Sequence, residues 1–477
     1  MAPDDVVFSG IDATTGGPAT PPLSFDQLSA LARGETLDAD DLAHLKSRAG
    51  RASANTLGVL ENIDPENLAE AGWAVIFASD ADPAIREALS PLLELRRAQA
   101  GAALAQRYRE LRGDDGYRRG ERHRDFLARH GMAAGSPADP DILPYYILLV
   151  GGPETIPFEF QYGLDITYAV GRLAFGMPEE YARYAAGAVA ADSRARGRPH
   201  VAFFGPRNDD DQATALSTEH FLVPLSDRLS DPGTGWTTSR AFGSGQATRE
   251  RLRGLLGGEA PPAVLMAAGH GLSFPTGHAL QANAQGALVC QEWPGPAAWH
   301  AAVPPEFYLA ADDLPADAGP AGMIALLFAC FGAGTPQFDD YIRAGGQRRE
   351  LAPGPFVSRL PTRMLSHPGG PALAVVGHVE RAMSYSFLWP GVGEQLGAFE
   401  SVLRAIAGGR RVGAALEFLN DRYAILSTEL GDERERLEYG DAIDPKALAG
   451  LWTARNDARN YVILGDPAVR IVPGPAA

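Results

Sequence analysis

Two short apolar runs constrain this chain more than any other feature. The first is Ala263-Val264-Leu265-Met266-Ala267-Ala268, followed by Gly269-His270-Gly271. The second is Met323-Ile324-Ala325-Leu326-Leu327-Phe328-Ala329, followed by Cys330-Phe331-Gly332. Runs this short, apolar throughout and bounded by Pro or Gly, suit strands buried on both faces of a parallel sheet. In such a sheet the working residues collect just beyond the carboxyl ends of the strands. The pattern therefore predicts that His270 and Cys330 face one crevice as a base and a thiol.

The same punctuation recurs along the chain. Strands are predicted at Trp73–Phe77, Tyr145–Val150, His200–Phe204, Trp236–Arg240, Ala372–Val376 and Tyr461–Leu464, with amphipathic helices between them. Strands alternating with helices indicate an α/β fold with mostly parallel sheets. At 477 residues two or three domains are expected. Three regions emerge: an N-terminal tail and helical cap over 1–70, a first α/β subdomain over 71–195, and a second over 196–477 that holds His270 and Cys330. Residues 1–22, rich in Gly, Pro, Thr and Asp, read as a loose tail. The helix starting at Pro83, with Asp80 and Asp82 as cap candidates, is predicted to extend to about Arg112, and residues 331–354 read as a Gly/Pro-rich loop.

Charge and composition exclude some roles. The formal charge of −17 and the lack of a Lys/Arg stripe argue against nucleic acid as a partner. No stretch approaches the ~18 apolar residues of a membrane span, and Met1-Ala-Pro-Asp-Asp-Val-Val lacks the basic start and apolar core of a signal peptide. A cytoplasmic protein with no membrane partner is expected. Two cysteines, Cys290 and Cys330, disfavour a disulfide framework or a Cys-based zinc site. Cys290, in Gly-Ala-Leu-Val-Cys, reads as a small buried apolar residue. Gly151-Gly152-Pro153 lacks the Lys-Ser/Thr that a phosphate loop needs.

A thiol needs a neighbouring base to ionise near neutral pH, and a neutral imidazole supplies one and then protonates the leaving amine. Gly271 allows its N–H to approach a substrate carbonyl, and with the N–H of Cys330 it would form an oxyanion hole. Gly332 and Gly334 let the chain turn away after the thiol.

The Gly-His-Gly and Ala-Cys motifs, each after an apolar strand, resemble the caspase-like clan of cysteine peptidases. The gingipain-like family is the nearest branch, with the prokaryotic CHAT-type caspase-like peptidases as neighbours. Leu148-Leu-Val-Gly-Gly-Pro153, the segment from Asp165 through Tyr168-Ala-Val-Gly-Arg172-Leu, and Leu464-Gly-Asp466-Pro467 resemble further gingipain-like segments, in the same order, over about residues 70–475. The resemblance implies a caspase-like three-layer sandwich of two α/β subdomains, with the catalytic pair in the second. It assigns His270 as base, Cys330 as nucleophile, and the backbones of Gly271 and Cys330 as oxyanion donors. It implies a cysteine endopeptidase acting on protein or peptide substrates through a thioester. A regulatory protein partner and a role in bacterial immunity or cell death would fit it, with residues 1–70 or the 331–354 loop gating the cleft. This chain departs from the family in one respect. The strand end Phe204-Gly205-Pro206 holds no acid to orient the histidine. That departure favours a second reading, a catalytically idle scaffold that binds a peptide or partner protein, whereas the intact His/Cys pair argues against it.

Specificity is less legible. Phe328 stands where related metacaspases have Asp. In Asn208-Asp209-Asp210-Asp211, Asp211 lies near the position of the gingipain-like acid that binds an Arg or Lys side chain; a solvated acidic loop and a calcium site are the alternatives. Calcium is thus the one cofactor the sequence suggests. Glu380 and Arg381 would select a basic or an acidic side chain, respectively, or form a structural pair. Met383 would line the pocket or fill a core gap. His278 and His300 are assigned no role.

Overall fold

Glycine, proline and capping residues cut the chain into short strands, ten of which join in one sheet in the computed structural model. The structure describes residues 5–472 and 474, apart from 36–37, 54–58, 61, 134–135, 195–196, 232, 259, 318, 345–346 and 390–391. The strands are β1 (Trp73–Phe77), β2 (Tyr108–Leu111), β3 (Tyr146–Val150), β4 (Ala169–Leu173) and β5 (His200–Gly205), then β6 (Thr237–Phe242), β7 (Val264–Ala268), β8 (Ile324–Phe328), β9 (Ala374–His378) and β10 (Tyr461–Gly465). Their spatial order is β6-β5-β7-β8-β9-β10-β4-β3-β1-β2. Every residue of β1, β3, β4, β7, β8, β9 and β10 is buried, as expected of strands covered on both faces. The edge strands β2 and β6 carry half-buried or exposed polar side chains, which blunts them against pairing with other chains.

One reversal in the sheet decides where chemistry can sit. β10 runs antiparallel to β9 and parallel to β4, whereas all the other neighbours are parallel. The strands of the first half therefore point opposite to those of the second. β5, β6, β7, β8 and β9 send their carboxyl ends to the edge that carries His270 and Cys330. Asp466, just after β10, ties the halves together: it accepts hydrogen bonds from Trp73 Nε1 at 2.9 Å and Arg96 Nε at 2.7 Å, all three side chains being buried. The Leu-Gly-Asp-Pro motif thus has a structural role at the junction.

Several expectations need correcting. Residues 5–12 are not a loose tail. They form strands at Asp5–Val6, Phe8–Ser9 and Ile11–Asp12, paired with Leu23–Ser24, Ala382–Met383 and Leu272–Ser273. Val6, Phe8 and Ile11 are buried. The helix capped by Asp82 runs only over Pro83–Ala88, a second helix over Ser90–Ala100 follows it, and β2 then stands where the sequence predicts helix. β2 is drawn into extended form by pairing with β1. The 331–354 loop contains a hairpin, Phe338–Ala344 with Gln347–Glu350. A further helix, Pro445–Arg459, capped by Asp444, precedes β10. The expected boundary between residues 195 and 196 lies outside the described residues.

Candidate active site

Strand register brings the two motifs together. Parallel pairing of β7 with β8 sets Ala268 beside Phe328, and the N–H of Gly269 extends the ladder to Phe328 O at 3.1 Å. His270 and Cys330 each stand two residues past that last pair. A Cβ on Gly271 would come within 2.0 Å of Cys330 O and 3.3 Å of Cys330 N. Only glycine lets the two backbones lie this close, which sets the peptide groups after His270 and at Cys330 side by side.

The thiol is fully enclosed. Cys330 Sγ accepts from the N–H of Ala382 at 3.3 Å and faces Ala382 O at 3.9 Å. Burial pushes the thiol up to about 12, against a smaller lowering by the Ala382 N–H and Arg381. After Cys330 the chain turns sharply: Phe331 has φ 57°, a strained left-handed conformation for a bulky residue. Hydrogen bonds hold it there, from Phe331 N to Glu380 O at 2.6 Å, from Ala333 N to His378 O at 2.8 Å, and from Ser358 Oγ to Phe331 O.

His270 is met by a carboxylate, that of Asp211. Nε2 lies 2.8 Å from Asp211 Oδ2. An ionised carboxylate only accepts, so Nε2 carries the proton and Nδ1 keeps a lone pair. That lone pair receives the N–H of Gly10 at 2.7 Å. Trp293 meets the ring edge-to-face at 5.6 Å between centroids. Asp211 is itself well placed, as the N-cap of the helix Gln212–Ser217, where it accepts from Thr214 N at 2.9 Å and Thr214 Oγ1 at 2.6 Å. Burial pushes its carboxyl up, but the attraction of His270 and the hydrogen bonds from His270 and Thr214 outweigh this and bring it to about 2. Asn208 fixes the same loop by donating to Cys290 O at 3.1 Å and Trp293 O at 2.7 Å.

Asp211 therefore stands corrected. It is neither a solvated loop residue nor free to bind a basic side chain, because its Oδ2 is taken by His270 and Thr214. The carboxylate that meets His270 lies five residues beyond Phe204-Gly205-Pro206. The signal was an Asp-x-x-Thr cap just downstream of the strand beside the His-bearing one. Glu380 and Arg381 are buried and joined at 2.6 Å, and Arg381 also binds Asp339 at 2.9 Å and the Thr20 hydroxyl. Both charges are spent inside the chain, as in a structural pair. Met383 is buried in an apolar cluster with Phe8, Tyr341 and Tyr385. Cys290 is buried, facing Leu288 O at 3.5 Å, and burial pushes its thiol well up. Among the described residues no group of three or more His, Cys, Asp or Glu side chains is arranged to hold a metal ion. No helix of the described residues is long and apolar enough to cross a membrane.

No family model matches the chain, and no curated protein matches it in sequence. Solved structures do match. One described as the structure of a protease superposes with a TM-score of 0.50 at 10% identity, covering 88% of this chain and 81% of that one. A complex of the pro- and mature domains of RgpB from Porphyromonas gingivalis gives a TM-score of 0.41 at 10% identity, covering 84% and 79%. The mostly parallel α/β architecture built around His270 and Cys330 is a fold shared with a solved protease.

Proposed function

We propose that the chain is a cysteine endopeptidase that cuts protein or peptide substrates with Cys330 as nucleophile and His270 as base, Asp211 holding the imidazole. One observation carries this reading: two neighbouring strand ends present an enclosed thiol and an imidazole whose far nitrogen is fixed by a buried carboxylate. That hydrogen bond commits Nδ1 to the proton transfer. Nδ1 takes the thiol proton as Sγ attacks the peptide carbonyl carbon. The developing oxyanion is received by the N–H groups of Gly271 and Cys330. As the C–N bond breaks, Nδ1 returns the proton to the leaving amine nitrogen, leaving a thioester on Sγ. Water, deprotonated by Nδ1, then attacks the thioester, releases the acid and restores the thiol.

The idle-scaffold reading rests on a missing orienting acid; the Asp211 carboxylate on His270 Nε2 supports the peptidase reading instead. Cys330→Ala is the direct test. Its fold, followed by circular dichroism, should be unchanged while cleavage of a proteome-derived peptide library disappears. Cleavage at the wild-type rate in Cys330→Ala would sink the assignment, and the wild-type library products define the side-chain preference in the same experiment.

A further inference from the structure

The groove over Cys330 is already filled by the chain itself. Residues 8–12 cross between the imidazole and the thiol. On one side Phe8–Ser9 pair antiparallel with Ala382–Met383, just past β9. On the other side Ile11–Asp12 pair in parallel with Leu272–Ser273, just past His270, and Ile11 N donates to Gly271 O at 3.2 Å. An extended segment that adds a strand to the rims of a site uses the main-chain hydrogen bonds by which peptides are recognised.

Gly10 sits at the crossing. Its N–H donates to His270 Nδ1 at 2.7 Å, where the nitrogen of a leaving amine would sit. The peptide bond that ends at this nitrogen is Ser9–Gly10. A Cβ on Gly10 would lie 3.1 Å from Cys330 Sγ, and φ is +146°, which favours glycine alone. Phe8 packs edge-to-face on Tyr341 at 5.4 Å and beside Met383, and Ser9 is only 5% exposed. Two cavities, of about 510 and 1410 Å³, open elsewhere in the molecule, and neither is lined by His270 or Cys330.

We propose that residues 8–12 are a resident, substrate-like strand that closes the peptide groove, with Ser9–Gly10 at the reacting position and the order aromatic, small, glycine marking the peptides the groove accepts. This rests on His270 and Cys330 being the reacting pair. The strand closes the site chemically as well as sterically. With the Gly10 N–H on Nδ1, the imidazole lone pair is unavailable to the thiol. Among the described residues Cys330 Sγ has no hydrogen bond to His270. The thiol, pushed up to about 12, keeps its proton while the strand is in place. Reaction then requires the strand to leave, and the observed reactivity scales with the open fraction.

Gly10→Val tests this, because its side chain meets Sγ and strains the backbone. The readout is the rate of Cys330 alkylation by iodoacetamide, mapped by mass spectrometry with buried Cys290 as internal reference. Gly10→Val should alkylate at least ~10-fold faster than wild type. A synthetic peptide spanning residues 5–14 should restore protection, and the same peptide with Val for Gly10 should not. Equal alkylation rates in wild type and Gly10→Val overturn the proposal, as does equal protection by the two peptides. If Gly10→Val fails to fold, hydrogen exchange on the wild type decides: amides of residues 6–12 should be protected and lose that protection once Cys330 is alkylated. Retained protection overturns the proposal. A Gly10→Val chain that alkylates fast but cleaves no peptide overturns the peptidase reading and leaves the strand. A wild type that cleaves as fast as Gly10→Val does the reverse.

Discussion

Asp211→Asn removes one oxygen's charge and little volume, so its effects can be worked out from the site. The His270 Nε2–H to Asp211 Oδ2 bond is 2.8 Å long and nearly buried. Hydrogen bonds to charged groups contribute about 1.5–3 kcal/mol. This one strengthens when Nδ1 takes the thiol proton, because the imidazole then becomes a cation facing a carboxylate. At about 1.4 kcal/mol per tenfold, kcat/KM should fall ~10- to ~150-fold. The asparagine amide adds to the loss when it donates to Nε2, because the ring proton then moves to Nδ1, the nitrogen that must be bare. Stability changes in a defined pH window. The Asp211 carboxyl falls from 3.8 to about 2 on folding. A lowered folded pKa contributes stability that is complete above about pH 4 and lost as pH falls towards 2; a shift of this size corresponds to roughly 2 kcal/mol. Part of the lowering comes from charged His270, so this is the ceiling reached when the ring is protonated. The assays are peptide cleavage in the Gly10→Val background and urea unfolding of wild type and Asp211→Asn at several pH values. Asp211→Asn should unfold more easily near neutrality, with the gap closing below about pH 4. A kcat/KM within about twofold of the parent would refute the argument that Asp211 orients the base, since even the weakest charged hydrogen bond predicts more.

Gly271→Ala places a methyl 2.0 Å from Cys330 O, so the strand ends must part. Activity should drop ~100-fold or more even where the fold survives, measured as kcat/KM beside a thermal melt. Arg381→Met should leave Asp339 and Glu380 buried without their cation and lower unfolding free energy by about 3–5 kcal/mol in urea, with the residue preferred before the cut unchanged. A stable Arg381→Met with altered preference would show that this charge reads substrate. Cys290→Ala should cleave within about twofold of the parent, because the buried thiol faces Leu288 O and works as packing.

The strands that carry the site were legible because they are short, wholly apolar and punctuated by glycine. β7 and β8 end within a residue of where their apolar runs end, which is enough to set His270 beside Cys330. Asp211 was harder, since its role depends on a loop that folds back 59 residues from His270, and four consecutive polar residues look the same in solvent as at a site. The strand at Phe8–Ser9 is hidden in the sequence for a similar reason. Two-residue strands have no periodicity to detect, and their order comes from pairing with residues 382–383, far along the chain. β2 illustrates tertiary override: Tyr108-Arg-Glu-Leu111 suits a helix locally, but β1 offers it an open sheet edge. Charge pairing was legible only as an alternative, because whether Glu380 and Arg381 meet a substrate or each other depends on Asp339, which the 338–350 hairpin folds back against them.

The central claim is that Cys330 forms a thioester with its substrate. The most direct measurement is acid quenching of the Gly10→Val chain during turnover of an aromatic–small–glycine peptide, followed by peptide mapping. The acyl group is predicted on Cys330, with neither adduct nor turnover once Cys330→Ala is added. Turnover that persists in the double variant would contradict the account.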